Sequence, residues 1–442
     1  MDRCFAAGAA ISDITPQEPQ FLFGYPHVRR YSTGVHDPLL SSALFLSDGD
    51  RQLLFSANDV IFIGRETAQR VRRRIEEQTG IPAANVMVTA THTHSGPITA
   101  DMVSNELDQA VPKADPRYTE YMENGIVDAA VRACRAAQPA TIGLAAADGS
   151  GIGTHRHEVG GPSDPQVPVL AVRDAGNGAF LAVMLVCSMH PTVLHEDSTL
   201  ISGDFPAMTR RWLQRHVVGE NCPVLHHTGP CGNQSPRHVT VANTFEEAQR
   251  LGEVLGRAVA KVIASIDYTA EITLACASAM VQLPVRRQPS PGEAQAALDR
   301  AHQRLESLRR SGAARTEVRT AECDWFGAEE SLALSLAAAD GRLDRVVASV
   351  MPAEVMLARI GPWALAGWPG EAFVEFSLMV KARRPNCFVV SLANGELQGY
   401  LATQQAVSEG WYEAMNSLFT SPEAGMLLVE TTLRLLGRAA SE

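Results

Sequence analysis

The stretch Met87-Val-Thr-Ala-Thr-His-Thr-His-Ser-Gly-Pro97 is an apolar run that ends on two histidines and then turns. Side chains of an extended segment alternate between two faces, so His92 and His94 are predicted to share one face. The following Ser-Gly-Pro favours a turn, which places both imidazoles at the tip of a buried strand, where a ligand can approach. Such a His-x-His pair is a candidate metal site, although two hydrogen-bonded histidines would show the same pattern.

The segment before this stretch predicts a strand, a helix and a second strand. Residues 52–57 form an apolar run that Asn58 closes. Residues 65–79 repeat apolar side chains with the helical period, and Gly80 stands at the C-cap position. Residues 86–90 then form the second strand. A unit of this kind implies that its two strands pair in parallel within an α/β sheet.

The rest of the chain continues the mixture of strands and helices. Further strands are predicted at 9–16, 34–46, 164–172, 179–188, 222–227, 355–360, 363–368 and 387–393. Further helices are predicted at 116–137, 207–218, 245–267, about 372–381 and about 421–438. From 291 to about 345 two helical patterns with little β signal indicate a helical insertion or cap. We therefore predict one large α/β catalytic domain over residues 1–442, with mixed sheets flanked by helices.

The composition excludes several classes of protein. With 45% hydrophobic and 20% charged residues the chain is an ordinary globular protein, and its net charge of −11 argues against nucleic acid or an anionic membrane as a partner. It has no apolar run of 18 residues and no signal-peptide pattern, so we expect no stable membrane insertion. Eight cysteines without framework spacing indicate reduced thiols and a cytoplasmic location. Assembly into a homo-oligomer is left open.

Two other positions offer metal ligands at the ends of predicted elements. His190 follows the apolar strand 179–188, and Glu371 lies in Pro369-Gly-Glu at a strand-to-helix turn. A catalytic zinc takes about three such protein ligands and keeps a place for water. Ligands on several strand tips are what a site at one edge of a sheet requires. Taken singly, His190 also fits a core histidine, and Glu371 also fits a carboxylate at a helix N-terminus.

Two other sites suggested by the sequence are disfavoured. Cys222, His226, His227 and Cys231 form a cluster whose spacing does not match the C-x2-C pattern of structural zinc sites. Ser235 lies in Gly-Asn-Gln-Ser-Pro, without the G-x-S-x-G elbow or an evident triad, so a serine hydrolase has little support.

Several motifs together resemble the neutral/alkaline (non-lysosomal) ceramidase family, and their order is kept from about residue 5 to 420. They are Thr91-His-Thr-His-Ser-Gly-Pro, Met189-His-Pro-Thr, Ile201-Ser-Gly-Asp, Gly232-Asn-Gln-Ser-Pro, Pro369-Gly-Glu, Gly399-Tyr-Leu-Ala-Thr and Trp411-Tyr-Glu-Ala. Because the chain ends soon after the last motif, it resembles a short member without the family's C-terminal immunoglobulin-like domain.

The resemblance implies a zinc enzyme that hydrolyses the amide of a small N-acyl substrate, ceramide-like or other, in lipid and sphingolipid metabolism. The zinc ligands that it implies are His92, His190, Glu371 and Tyr400. The residues that it places in or near the catalytic site are His94, as a candidate proton carrier, Ser235, Arg156 and Tyr412. Zinc would activate water and, together with Tyr400 or Tyr412, would stabilise the tetrahedral oxyanion.

Two other functions are left open by the sequence. Metal-dependent amidohydrolases built on a (β/α)8 barrel also use a His-x-His pair, but on their first strand, whereas at least two strands precede His92 here. A non-catalytic relative that binds a small ligand is the second alternative, suggested by the lack of the immunoglobulin-like domain.

Overall fold

The computed structural model describes residues 5–438. Its strands are β1 (Ala6–Asp13), β2 (Gly34–Val35), β3 (Leu40–Ser47), β4 (Gln52–Asn58), β5 (Val86–Ala90), β6 (Gln138–Asp148), β7 (Thr154–His155), β8 (Gln166–Asp174), β9 (Phe180–Cys187), β10 (Leu200–Ile201), β11 (Val224–Thr228), β12 (Gln234–Ser235), β13 (Leu274–Val281), β14 (Ala353–Ile360), β15 (Trp363–Gly367), β16 (Glu371–Ala372), β17 (Cys387–Val390) and β18 (Tyr400–Leu401). Its α-helices are α1 (Arg65–Thr79), α2 (Pro116–Arg135), α3 (Asp204–Leu213), α4 (Phe245–Ile263), α5 (Pro291–Ser311), α6 (Arg315–Ala339), α7 (Arg342–Val350), α8 (Val374–Arg383), α9 (Gln404–Glu409), α10 (Tyr412–Met415) and α11 (Pro422–Arg438).

Within the described chain, the largest sheet has the strand order β11-β9-β8-β6-β1-β3-β4-β5. Strands β4 and β5 pair in parallel, as do β9 and β11, and the other neighbours are antiparallel. A second sheet has the order β13-β14-β15-β17. The predicted class, mixed sheets flanked by helices, is confirmed.

The predicted strand, helix and strand unit around α1 is confirmed. Val71 and Ile75 of α1 are buried against the large sheet, and Gly80 ends the helix in the left-handed conformation at φ 75°, its N–H donating to the carbonyl oxygen of Glu76. Glycine suits this position because it has no Cβ to clash there.

The elements stack in four layers. In β5 the side chains alternate: Val86 and Val88 pack toward α1 and α2, whereas Met87 packs toward the second sheet. Strands β8 and β9 pack one face on α3 and α4 in the same way. The second sheet is covered on its outer side by α8 and α11, where Phe376 and Leu428 are buried. The two sheets thus lie face to face between outer layers of helices.

The large sheet rolls, so that strands distant in its order become neighbours. β11 packs beside β3, β4 and β5, although it lies at the opposite edge. Across this contact Thr228 Oγ1 donates to the carbonyl oxygen of Thr91 at 2.8 Å, and Thr89 Oγ1 lies 2.8 Å from His227 Nδ1. Strong twist in a sheet of this width favours such rolling. The carboxyl ends of β5 and β9, which precede His92 and His190, therefore come together.

Some sequence predictions need correction. The helical segment has three helices rather than two, because Gly341 takes a left-handed φ of 77° and separates α6 from α7. Strands β6 and β13 were not predicted; β6 consists largely of small side chains, and its pairing with β8 supplies the regularity that its sequence does not show. The predicted helix 207–218 begins earlier, at Asp204, and ends in a π-helical turn, Gln214–Val218.

Two predictions concern the chain as a whole. Among the helices of residues 5–438, none combines the length and apolar character of a membrane span. The cysteines of the described chain are unpaired thiols, and Cys4 lies outside the described residues. The domain boundary at 1–442 stays a prediction.

Candidate active site

Three imidazoles converge where the rolled sheet brings the strand ends together. The Nε2 atoms of His92 and His190 are 3.1 Å apart, and His94 Nε2 lies 3.4 Å from His92 Nε2. His92 and His190 are buried, and His94 is half-buried. Among the described residues, these three form the group of His, Cys, Asp or Glu side chains whose spacing suits a metal ion.

The backbone fixes how each imidazole presents its ring nitrogens. Each Nδ1 lies at hydrogen-bond distance from a carbonyl oxygen: His92 from Ile61 at 2.9 Å, His190 from Cys231 at 2.7 Å and His94 from Gly24 at 3.2 Å. A carbonyl oxygen only accepts, so each Nδ1 carries the proton and each Nε2 is left with a lone pair. A hydrogen bond from the ring nitrogen that does not face the metal is typical of metal-binding histidines.

The sequence prediction that His92 is extended is wrong, although the rings do converge. β5 ends at Ala90, and His92 takes a left-handed φ of 68°. Its N–H donates to the carbonyl oxygen of Val60 at 2.9 Å, which holds this conformation. A non-glycine residue at positive φ is strained, and such strain is common at functional sites.

Glu371, the first residue of β16, completes the cluster. Its Oε2 lies 3.1 Å from both His92 Nε2 and His190 Nε2, and no N–H or O–H of the described chain donates to it. Glu371 is itself buried, so its carboxylate is shielded from water. Burial also lowers the pKa of His190 to about 4, so this ring is neutral at neutral pH.

The cluster fits a metal ion. Lone pairs on two nitrogens and a carboxylate oxygen face one another at 3.1 Å, which would be repulsive without a cation between them. Two atoms bound to one zinc at about 2.0–2.1 Å in tetrahedral directions lie about 3.3 Å apart, close to the spacings here. Imidazole nitrogen and carboxylate oxygen are ligands that zinc accepts.

Tyr400 is held next to Glu371 by the backbone. The two residues are register partners in the short parallel pair of β16 and β18. The Tyr400 hydroxyl lies 3.4 Å from that of Tyr412, and both rings are edge-on at 6.0 Å between centroids. Burial raises the pKa of each phenol above its ordinary value, so both hydroxyls keep their protons.

Arg156 and Ser235 line the same cleft as the two tyrosines. The Arg156 guanidinium donates to the Tyr412 hydroxyl and, at 3.2 Å, to Glu413 Oε1. Ser235 Oγ accepts the backbone N–H of Arg237 at 3.2 Å, and no imidazole within residues 5–438 is hydrogen-bonded to it. A Ser-His pair, which a serine hydrolase needs, is therefore not formed among them. All eight site residues that the sequence suggested come together in one region of the fold.

The model of the neutral/alkaline non-lysosomal ceramidase N-terminal domain matches residues 5–228, just over half of the chain. The chain belongs to this ceramidase family. It is 24% identical over 236 residues to neutral ceramidase B of Dictyostelium discoideum, and 23% identical over 247 residues to neutral ceramidase A of that organism. These segments are 49% and 52% of this chain, but only 33% and 34% of the relatives.

Solved ceramidases share the fold of this family member. The crystal structure of neutral ceramidase from Pseudomonas aeruginosa aligns with a TM-score of 0.76 at 19% identity, covering 99% of this chain and 75% of that one. A ceramidase complexed with C2 aligns with a TM-score of 0.73 at 17% identity, covering 99% and 76%. The alignments extend over the sheets, helices and site region described above.

In this family member the cleft above the cluster has two lobes. The apolar lobe is lined by Phe23, Ile61, Phe62, Met102 and Val111, beside His92 and Glu371. The basic lobe is lined by Arg156, Arg237 and Arg319, beside Ser235 and Tyr412. The lobes meet at a seam formed by Gly24, Tyr25, Pro26, His94, Glu330, Tyr400 and Asn416. A substrate cleaved at the seam could place its two halves in different surroundings.

Sequence reasoning missed several residues that build this cleft. Glu413 is fully buried and binds both Arg156 and His157, whose Nε2 lies 2.9 Å from Glu413 Oε1. Its position beside Tyr412 in the Trp-Tyr-Glu-Ala motif was the available signal. One face of α6, which the sequence suggested only as an insertion or cap, contributes Arg319, Cys323, Phe326 and Glu330. Their spacing of four, three and four residues matches one helix face.

Buried Arg30 ties the site loops together. Its guanidinium donates to the carbonyl oxygens of His94 and, at 2.8 Å, His195, and its charge lies 4.9 Å from the centre of the Tyr25 ring. This side chain therefore joins the N-terminal loop to the loops that carry His94 and follow His190.

His27 connects the N-terminal loop to α6, and we predict that this contact depends on pH. Its Nε2 lies 2.5 Å from Glu329 Oε2, and its ring stacks on Trp325 at 4.6 Å. The hydrogen bond to Glu329 raises the pKa of His27 above 6.5. The stabilisation is thus fully present below pH 6.5 and is lost as the pH rises through the raised folded-state pKa.

The measurement is the free energy of unfolding of the wild type and of His27→Gln between about pH 5.5 and 8.5, where histidine titrates. The free energy of unfolding of the wild type should exceed that of the variant by the largest amount at the acidic end of this range. His302→Gln is the control, because His302 also contacts Trp325 but pairs with no carboxylate among the described residues. A wild-type advantage that stays constant with pH would contradict the prediction.

Proposed function

We propose that this chain is a zinc-dependent amidase that hydrolyses an N-acyl amide, ceramide-like or of another kind. The observation that carries the proposal is Glu371 Oε2, a buried carboxylate oxygen without a hydrogen-bond donor in the described chain, 3.1 Å from two imidazole lone pairs. Membership of the ceramidase family supports the reaction class. Ceramide itself is one candidate substrate.

The residues proposed to hold the metal are His92, His190, Glu371 and Tyr400. Glu371 Oε2 is equidistant from the His92 and His190 nitrogens, whereas His94 has its longer contact with His92. Zinc at such a site supplies Lewis acidity and lowers the pKa of water to about 7. We assign His94 to proton transfer, because it lies at the seam of the two lobes, where the scissile amide would lie.

The tyrosines and Arg156 are proposed to stabilise the charge that develops on the substrate oxygen. Both phenols are protonated donors beside the cluster, and Arg156 donates to Tyr412. Donors that are fixed in place before the reaction stabilise an oxyanion without having to reorganise. Glu413, which is also hydrogen-bonded to His157, holds the Arg156 guanidinium in place.

The fold excludes one of the two alternative functions that the sequence left open. A (β/α)8 barrel needs eight parallel strands, whereas the large sheet has antiparallel neighbours at most positions. The barrel amidohydrolase is therefore excluded. A non-catalytic relative would keep the same cluster and cleft, so only an activity measurement separates it from the amidase.

The proposal is tested by measuring fatty-acid release from a panel of N-acyl amides that includes short- and long-chain ceramides, with and without a zinc chelator. We expect about one zinc per chain, activity on at least one amide, loss of that activity with chelator and its return with added zinc. Cleavage of ceramide would place the chain in sphingolipid metabolism. Active protein without zinc would contradict the metal assignment, and zinc-loaded protein that cleaves no amide would indicate the binding relative.

A further inference from the structure

We propose that the amine half of the natural substrate carries a carboxylate, so that the substrate class is N-acyl amino acids. This inference rests on the proposed amidase function and adds to it the identity of the leaving group. The residues that carry it are the arginines of the basic lobe, outside the metal cluster.

The lining of the basic lobe has the opposite electrostatic character from the protein as a whole. The chain has a net charge of −11, yet three arginines line this lobe. Among described residues the carboxyl group in its lining is Glu330, at the seam, and burial raises the pKa of Glu330 to about 7. Glu330 therefore offsets only part of one positive charge at neutral pH. Cations collected in a cleft of an acidic protein attract an anionic ligand.

Two of the three guanidinium groups already have carboxylate partners. Arg156 lies 3.2 Å from Glu413, and Arg319 lies 2.6 Å from Glu322 and 3.5 Å from Glu196.

Arg237 differs, because its guanidinium has no carboxylate within 4.0 Å in the described chain and its side chain is exposed to the cleft. Cys323 lines the same lobe as the three arginines: burial raises the pKa of its thiol, and the charges of Arg319, Arg156 and Arg237 oppose that rise. The basic lobe thus holds one cation free to bind a ligand, supported by two others.

The arrangement of the lobes favours an amino acid over a second hydrocarbon chain. With the amide at the seam, the acyl chain fits the apolar lobe, where Phe23, Phe62 and Met102 would bury it. The amine half then enters the basic lobe. A ceramide would offer Arg237 no anionic group, although Phe326 and Tyr412, which also line this lobe, would contact its hydrocarbon chain. A carboxylate on the amine half would instead share this lobe with Arg237, whose planar guanidinium matches a carboxylate.

The test compares N-lauroylglycine with N-lauroylglycinamide, which has the same size and differs in its charge. The readout is the ratio of kcat/KM for lauric acid release from the two substrates. We expect the wild type to favour the carboxylate by about tenfold or more, and added salt to reduce the preference. Arg237→Gln should lower the ratio about tenfold, and Arg237→Lys should lower it less, because it keeps the charge but not the fork. Arg300→Gln, an exposed position on α5 outside both lobes, is the control and should leave the ratio unchanged.

The outcomes separate this inference from the proposed function. Suppose that the wild type releases lauric acid from the glycinamide, or fatty acid from ceramide, as efficiently as from N-lauroylglycine. That result would overturn the inferred substrate class and leave the proposed amidase function standing. A wild-type preference that Arg237→Gln does not change would also overturn it. Release from no amide, by zinc-loaded folded protein, would overturn both.

Discussion

His92→Ala and His190→Ala are each expected to remove the bound zinc and to lower kcat/KM for amide hydrolysis by roughly a thousandfold or more. Each substitution deletes an Nε2 that lies 3.1 Å from Glu371 Oε2 and leaves this buried carboxylate facing one imidazole instead of two. Zinc per chain, measured by mass spectrometry of the purified protein, and kcat/KM are the two readouts.

Two further variants make this experiment specific. His216→Ala is the control, because His216 is exposed and its Nδ1 donates to the carbonyl oxygen of nearby Trp212 at 2.8 Å. It should keep both zinc and activity. His94→Gln tests whether His94 carries protons or binds the metal. If His94 is a proton carrier, the variant should lose activity but keep its zinc. If His94 is a zinc ligand, the variant should lose both. Full zinc content in His92→Ala or His190→Ala would refute the proposed metal site.

Gly24→Ala should be a strongly damaging single-methyl change near the site. Gly24 takes a φ of 117°, which side chains other than hydrogen rarely tolerate, and an added Cβ would lie 2.4 Å from His94 Nδ1. We expect the free energy of unfolding to fall by about 2–4 kcal/mol, combining backbone strain with overpacking. Because His94 must shift, we also expect kcat/KM to fall by about a hundredfold.

Gly80→Ala provides the matched control. Gly80 also has positive φ, 75°, but an added Cβ there meets nothing within 4 Å. The free energy of unfolding of that variant should fall by only about 1 kcal/mol, because alanine is disfavoured at positive φ, and the variant should keep its activity. Denaturant unfolding and kcat/KM are measured on both variants. If Gly24→Ala were as active and as stable as Gly80→Ala, the close approach of Gly24 to His94 would have no functional role.

Local sequence predicted those parts of the fold that local physics decides. Helix α1 was predicted with its observed ends, because its apolar period and the C-cap Gly80 act within a few residues of one another. β13 was missed because it alternates weakly along a half-exposed surface and obtains its regularity from β14, far away in sequence.

The candidate site shows the same division. The sequence placed His92, His94, His190 and Glu371 at element ends, and resemblance to the ceramidases suggested how to group them. The sequence did not reveal the roles of Glu413, Arg30 or the face of α6 that lines the cleft. These side chains contact residues more than a hundred positions away in the sequence. Side chains that act only through such distant partners leave little signal in their own neighbourhood.

By itself the sequence determined the types of the main elements, the parallel β4–α1–β5 unit and the position of the two histidines just beyond a buried strand. Only the tertiary structure decided that His92 meets His190, because the sheet rolls until β11 packs beside β5. It also decided the left-handed turn of His92, the pairing of Glu371 with Tyr400 and the separation of an apolar from a basic lobe. Sheet curvature and layer packing depend on all the packed side chains together, whereas alternation and capping depend on a few neighbours.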